Sequence, residues 1–234
     1  MVAVSGVAVS AAPVLAKETA KKHNKSKSKR RLRVAVFGDS LGDGMYAGLT
    51  QVTAGMKGIR VQRYSRANTG IVRSDRYNWN KAAKKLSAKP MDVAVLVFGA
   101  NDIQGIRTGG KRYYFGHKRW KQHYTDRVTR IIQNFRKRRV KVYVVGLPIV
   151  RQPKVRKGYA YINKIFRQVA KKNGATYIET WSTFADSQGR YTPSYRIKGR
   201  ARNIRQKDGI HFTMDGYRIY ARRALKVLRK NHRL

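Results

Sequence analysis

The sequence predicts an α/β protein, a three-layer α/β/α sandwich built on a five-stranded parallel sheet. Three observations lead there. Short β-branched runs alternate along the chain with longer stretches of helical period. Several of those runs are apolar at consecutive positions, as strands of a parallel sheet are when layers cover both faces. With 234 residues and 41% hydrophobic content, the chain supports one substantial domain and its core rather than two.

Taken in chain order, the strands are "LRVAVF" (32–37), "IRVQRY" (59–64), "DVAVLVF" (92–98), "VKVYVVG" (140–146) and "ATYIE" (175–179). Helical stretches lie between and after them. "HYTDRVTRIIQNFRK" sets Tyr124, Val128, Ile131, Ile132 and Phe135 on one face. "YAYINKIFRQVAKKNG" does the same with Ile162, Ile165, Phe166 and Val169, and Gly174 is placed to end that helix. The last helix opens in "TMDGYRIYARRALKVL", with Tyr217, Ala221, Ala224, Leu225 and Leu228 as its apolar stripe. The outer faces of these helices are basic.

Ahead of Leu32 the composition changes. Residues 1–16, "MVAVSGVAVSAAPVLA", form an apolar run closed by small residues, like the rear of a secretory signal peptide. The run is too short for a membrane span, which takes about 20 residues, so no transmembrane segment is expected. No Lys or Arg precedes it, so the basic start of a signal is missing. Cleavage after Ala16 fits the pattern Pro-Val-Leu-Ala, and a periplasmic or secreted protein is the expectation. Residues 17–31 then read as a basic, disordered linker. Its neighbourhood "KKHNKSKSKRRLR" (21–33) holds eight Lys and Arg and no acid. The folded domain is expected over 32–234.

Charge and cysteine usage bound the chemistry. Lys and Arg number 54 against 11 Asp and Glu, a net charge of +43, and no acid occurs between Asp126 and Glu179. Such a field attracts polyanions. Anionic envelope polymers and nucleic acid both satisfy it, and so does a generally solvated basic surface, so the charge alone selects no partner. With no cysteine, disulfides, thiolate zinc sites and cysteine nucleophiles are excluded. His117 and His123 are spaced wrongly for one helical face, and His23 and His232 sit in basic ends, so no metal site is expected.

Within the domain, "VAVFGDSLGDG" (34–44) runs apolar and then breaks into glycine, aspartate and serine. Glycines around a serine on the turn leaving a strand allow the sharp bend that exposes a nucleophile. An ordinary helix N-cap at Asp39-Ser40 reads the same way. In parallel sheets, ligands sit outside the carboxyl ends of the strands. By that rule Ser40 after the first strand, "FGAND" (98–102) after the third and "KDGIH" (207–211) before the last helix share one rim. Ser40 could attack a carbonyl with His211 as its base and Asp208 orienting the imidazole. Asn101, with the backbone N–H groups of Ser40 and Gly70, could hold an oxyanion. Taken singly, Asn101, Asp208 and His211 each fit an ordinary turn or packed residue as well.

The order of these blocks resembles the SGNH (GDSL-type) hydrolase family. "FGDS" is similar to its first block, Gly99-Ala100-Asn101-Asp102 to its Gly-x-Asn-Asp and Asp208-Gly209-Ile210-His211 to its Asp-x-x-His. "RANTGIVRSD" departs from the usual second block, although Gly70 stands where the family glycine would supply an oxyanion N–H. The resemblance covers residues 32–230. It implies a flavodoxin-like fold, a Ser-His-Asp mechanism without cofactor or metal, and hydrolysis of esters or thioesters. The expected substrate is an ester, O-acetylated polysaccharide in particular, with a lipase or thioesterase, or a basic polyanion-binding protein on the same scaffold, as alternatives. "TGGKRYY" (108–114) lacks the Lys-Ser/Thr ending of a phosphate loop and is expected to be a flexible loop.

Overall fold

The computed structural model describes residues 1–3 and 30–232, so the signal-like run and the basic linker lie almost entirely outside the described residues. Chain order runs β1 (Leu32–Gly38), α1 (Ser40–Val52), β2 (Ile59–Arg63), α2 (Trp79–Leu86), β3 (Val93–Val97), β4 (Ile106–Thr108), β5 (Lys111–Tyr113) and α3 (Lys118–Arg136). It continues with β6 (Lys141–Val145), α4 (Pro153–Lys172), β7 (Thr176–Ile178), β8 (Ser194–Ile197), β9 (Arg200–Asn203) and α5 (Met214–Asn231).

The main sheet has the order β2-β1-β3-β6-β7, with every pairing parallel. Its five strands are those expected, and the layered α/β/α architecture is confirmed. All five residues of β3, "VAVLV", are buried, which requires cover on both faces. That cover comes from α1 packed against α5, and from the run of neighbours α2, α3 and α4. The apolar faces expected on α3, α4 and α5 are buried, including Tyr124, Phe135, Ile162, Phe166, Ala221 and Leu228. Two helices begin earlier than their apolar stripes. In α4, Pro153 stands in the first turn, where its missing N–H has no helical partner to lose.

Two hairpins lie outside the main sheet, and the first corrects the flexible loop expected at 108–114. "TGGKRYY" is ordered as the turn and second strand of β4–β5, with Gly109 at φ 57° and Gly110 at φ 72°. Positive φ at both central residues is the tight hairpin turn whose twist matches the strands it joins. The second hairpin, β8–β9, was not anticipated; it turns through Lys198 at φ 49° and Gly199 at φ 77°.

Strand order also fixes where the chemistry can sit. The chain leaves β1 for β2 on one side and crosses back to β3 on the other, so a crevice opens between the carboxyl ends of β1 and β3. The seam between α1 and α5 is unusually close. A Cβ on Gly44 would lie 1.8 Å from the Tyr217 ring, and one on Gly48 would lie 2.3 Å from the Tyr217 carbonyl oxygen.

Candidate active site

The break after "VAVF" has a steric cause. Gly38 ends β1 at φ 153°, where a Cβ would fall 1.9 Å from the Val97 carbonyl oxygen of β3. Only glycine allows that approach. Asp39 follows as the N-cap of α1, accepting the Leu41 N–H at 3.0 Å, and Ser40 becomes the first helical residue. The N-cap reading of this stretch is thus the observed one, with Asp39 as the cap and Ser40 partly exposed at the start of the helix.

Across the rim, Ser40 Oγ lies 2.8 Å from His211 Nε2, although 171 positions separate them in sequence. His211 Nδ1 lies 2.6 Å from Asp208 Oδ2. The other carboxylate oxygen of Asp208 accepts the N–H groups of Ile210 at 2.8 Å and His211 at 3.0 Å. Partial burial resists ionisation of Asp208, but the His211 ring and those two N–H groups outweigh it and hold the carboxyl below its ordinary value. An ionised Asp208 accepts the Nδ1 proton, leaving Nε2 free to accept from the serine hydroxyl.

Asn101 and Gly70 lie in the loops after β3 and β2. Asn101 Nδ2 donates one N–H to the Thr69 carbonyl at 2.8 Å, which leaves its second N–H for another acceptor. A Cβ on Gly70 would sit 2.4 Å from Asp102 Oδ1 and 3.6 Å from Asn101 Cβ, so the two loops touch. Among the described residues, the Ser40 and Gly70 N–H groups have no backbone or side-chain acceptor. Ser40, His211 and Asp208 thus form one hydrogen-bonded chain, while Gly70 and Asn101 touch each other in loops tied to the Ser40 loop through Asp39 and Ala100.

Beneath them lies a buried polar network that sequence reasoning missed. Asp39 and Asp102 are both fully buried. Asp39 Oδ2 accepts the Ala100 N–H at 3.0 Å, tying the Ser40 loop to the Asn101 loop. Asp102 accepts the Tyr124 hydroxyl at 2.8 Å and the Val72 N–H at 3.2 Å, tying in the Gly70 loop. Arg127, from α3, donates to the Ile71 and Val72 carbonyls. Arg205, 2% exposed, holds the His211 loop by donating to the Ile210 and Ile149 carbonyls, with its guanidinium 3.8 Å over the Phe212 ring. The signal available for Asp39 and Asp102 was their place in the motif blocks; an arginine in a loop carries none, since most are exposed.

Burial pushes the Asp39 carboxyl up to about 7, with the charge of Asp102 adding to the rise. Burial likewise pushes Asp102 up to about 6, against the pull of the Tyr124 hydroxyl. Both values lie above the unfolded carboxylate value of about 3.9. The folded state therefore holds protons that the unfolded state releases, and this stabilisation is full below about pH 4 and lost as pH rises through 6 and 7. In urea melts between about pH 4 and pH 8, Asp39→Asn is expected to lose part of the parent's decline in stability with rising pH. An equal decline in both proteins would refute the assignment.

Residues 33–227 match the family profile described as "Protein of unknown function (DUF459)". The chain belongs to the DUF459 family. No curated protein sequence matches it. Its fold is shared with solved structures of SGNH-type enzymes. A catalytic mutant of Axe2, an acetylxylan esterase from Geobacillus stearothermophilus, is similar at TM-score 0.60 and 14% identity over 85% of this chain and 95% of that one. TesA gives 0.58 and 15% over 85% and 98%. A GDSL-like lipase from Bacteroides thetaiotaomicron gives 0.59 and 15% over 86% and 89%. At these identities the likeness establishes the fold, so this DUF459 chain has the SGNH hydrolase architecture that its motif blocks resemble. Among its described residues, no helix is long and apolar enough to cross a membrane.

Proposed function

We propose that this DUF459 protein is a serine esterase that hydrolyses carboxylic ester bonds through an acyl-enzyme, removing acetyl groups from an extracellular or cell-envelope carbohydrate. The observation that carries it is the continuous relay Asp208–His211–Ser40, at 2.6 and 2.8 Å. In this reading Ser40 Oγ adds to the ester carbonyl while His211 Nε2 takes its proton. The tetrahedral oxyanion is held by the N–H groups of Ser40 and Gly70 and by the free N–H of Asn101. His211 then gives the proton to the leaving alcohol oxygen. A water, deprotonated by the same imidazole, releases the acid and restores Ser40.

The cleft beside Asp208 mixes basic and polar side chains, Arg151, Gln206 and Lys207, with the apolar surfaces of Tyr191 and Pro193. The Axe2 likeness supports acetyl-carbohydrate chemistry, while TesA and the lipase keep longer acyl esters as the competing case. Export to the periplasm or beyond fits the signal-like start, and the +43 charge would retain the protein on anionic envelope polymers.

The deciding experiment pairs hydrolysis with labelling. A chromogenic acetyl ester is expected to be cleaved faster than its long-chain homologue, and a fluorophosphonate probe to attach at Ser40. Attachment elsewhere, or none, sinks the reading. Asn101→Ala removes one of three oxyanion donors and is expected to lower kcat by about 100- to 1000-fold with little change in KM.

A further inference from the structure

Beside Asp208 the surface opens into a cleft of about 630 Å³, lined by Arg151, Tyr191, Asn203, Arg205, Lys207 and Asp208 among others. Its charges are unbalanced. Asp208 already faces His211 and two backbone N–H groups. Arg151 gives one N–H to the Lys207 carbonyl at 2.6 Å, and neither Arg151 nor Lys207 has a carboxylate partner among the described residues. Arg205, almost wholly buried, has its terminal nitrogens committed to Ile149 and Ile210, yet its Nε is buried with no hydrogen-bond partner. Such an N–H is unfavourable without an acceptor.

A second basic cleft, of about 260 Å³, holds Arg73, Arg107 and Arg112 with a single carboxylate, Asp75. Asp75 is paired with Arg73. This cleft adjoins the Gly70 and Asn101 loops after β2 and β3, whereas the first follows the loops after β6 and before α5. The two cationic hollows thus border different loops of the site, one beside Asp208 and the other beside the loops after β2 and β3. The overall charge draws any polyanion to the surface, but only fixed cations in a hollow set its register.

We infer that the Arg151–Lys207 cleft binds a carboxylate or phosphate group carried by the same chain that bears the ester cleaved at Ser40, so that the substrate is an acylated anionic polymer lying across the rim. This inference rests on the esterase reading and adds the chemical class of the alcohol part. Guanidinium groups match planar carboxylate and phosphate oxygens, which a neutral glycan does not offer. The hairpin β8–β9 extends the same wall, because Asn203 at its end lines the cleft while Arg196, Arg200 and Arg202 are exposed along it.

The test compares O-acetylated oligogalacturonate with O-acetylated xylo-oligosaccharide as substrates of the full chain. The ratio of their kcat/KM values is expected to favour the anionic substrate and to fall roughly 10-fold in Arg151→Gln and by several-fold in Lys207→Gln. Arg138→Gln, at the opposite end of the sheet, is expected to leave the ratio unchanged. An equal fall in Arg138→Gln would mean that charge acts diffusely, and would overturn the inference. A binding arm keeps the question separate from catalysis. Ser40→Ala is titrated with unacetylated oligogalacturonate and with inorganic polyphosphate, with and without Arg151→Gln. Weaker binding on losing Arg151 supports the cleft, and the tighter probe distinguishes carboxylate from phosphate; equal binding overturns it. A parent that cleaves no ester at all would sink the esterase reading instead, while the titration still decides whether the cleft binds anions.

Discussion

Ser40→Ala is expected to lower kcat on an acetyl ester by about 10⁴-fold or more, with the fold and the melting temperature essentially kept. The loss is chemical rather than structural. Ser40 Oγ makes its recorded hydrogen bond to His211 Nε2 alone, and its place at the start of α1 depends on the Asp39 cap, not on its own hydroxyl. His211→Gln should cost a similar factor, and the double variant little beyond either single one, since groups acting in one relay do not contribute additively. Single-turnover kinetics with urea melts on the same preparations check this. Full activity in Ser40→Ala would mean that another nucleophile does the chemistry.

Asp208→Asn is the sharper test, because it should inactivate while changing almost nothing in shape. Asn keeps one carbonyl oxygen for the Ile210 and His211 N–H groups, so the loop is retained. What changes is the group facing His211 Nδ1. An amide N–H there asks Nδ1 to accept, which moves the ring proton to Nε2, the atom 2.8 Å from Ser40 Oγ. Nε2 can then no longer take the hydroxyl proton. A fall in kcat of roughly 10³- to 10⁴-fold is expected, as for the wrong tautomer in a serine hydrolase triad. Because the Asp208 side chain is 42% exposed, water can partly substitute, and the loss should sit at or below that of Ser40→Ala. The readout is kcat alongside the Nδ1 and Nε2 proton signals of His211. A variant retaining a tenth of the parent rate would remove Asp208 from the relay.

The sequence announced the sheet and its covering helices because their signal is apolar periodicity over long stretches. Strand β3 is apolar at every position and α3 places its buried residues at helical spacing, so neither needed tertiary information. The hairpins escaped for the opposite reason. β8 and β9 hold four residues each, nearly all exposed and several of them basic, so no hydrophobic face marks them. Their trace lay in the turns: Gly109-Gly110 and Lys198-Gly199 supply the positive φ angles that a two-residue hairpin needs. At the site, the loops holding Ser40, Asn101, Asp208 and His211 read singly as ordinary turns, and it took the rule that ligands sit at the strands' carboxyl ends, with the order of the motif blocks, to bring them together. Arg205 and Arg127 stayed hidden because their role is to bind loop carbonyls, and which carbonyls lie within reach is decided by the folded chain alone.

The close seam of Gly44 and Gly48 against Tyr217 reaches further than packing. One helix of that seam begins at Ser40 and the other three positions after His211, so the closeness of the two bare backbone surfaces bears on the separation of those two side chains. A single methyl group inserted at Gly44, a full turn below Ser40, has nowhere to go but into Tyr217, so the two helices could accommodate it only by moving apart.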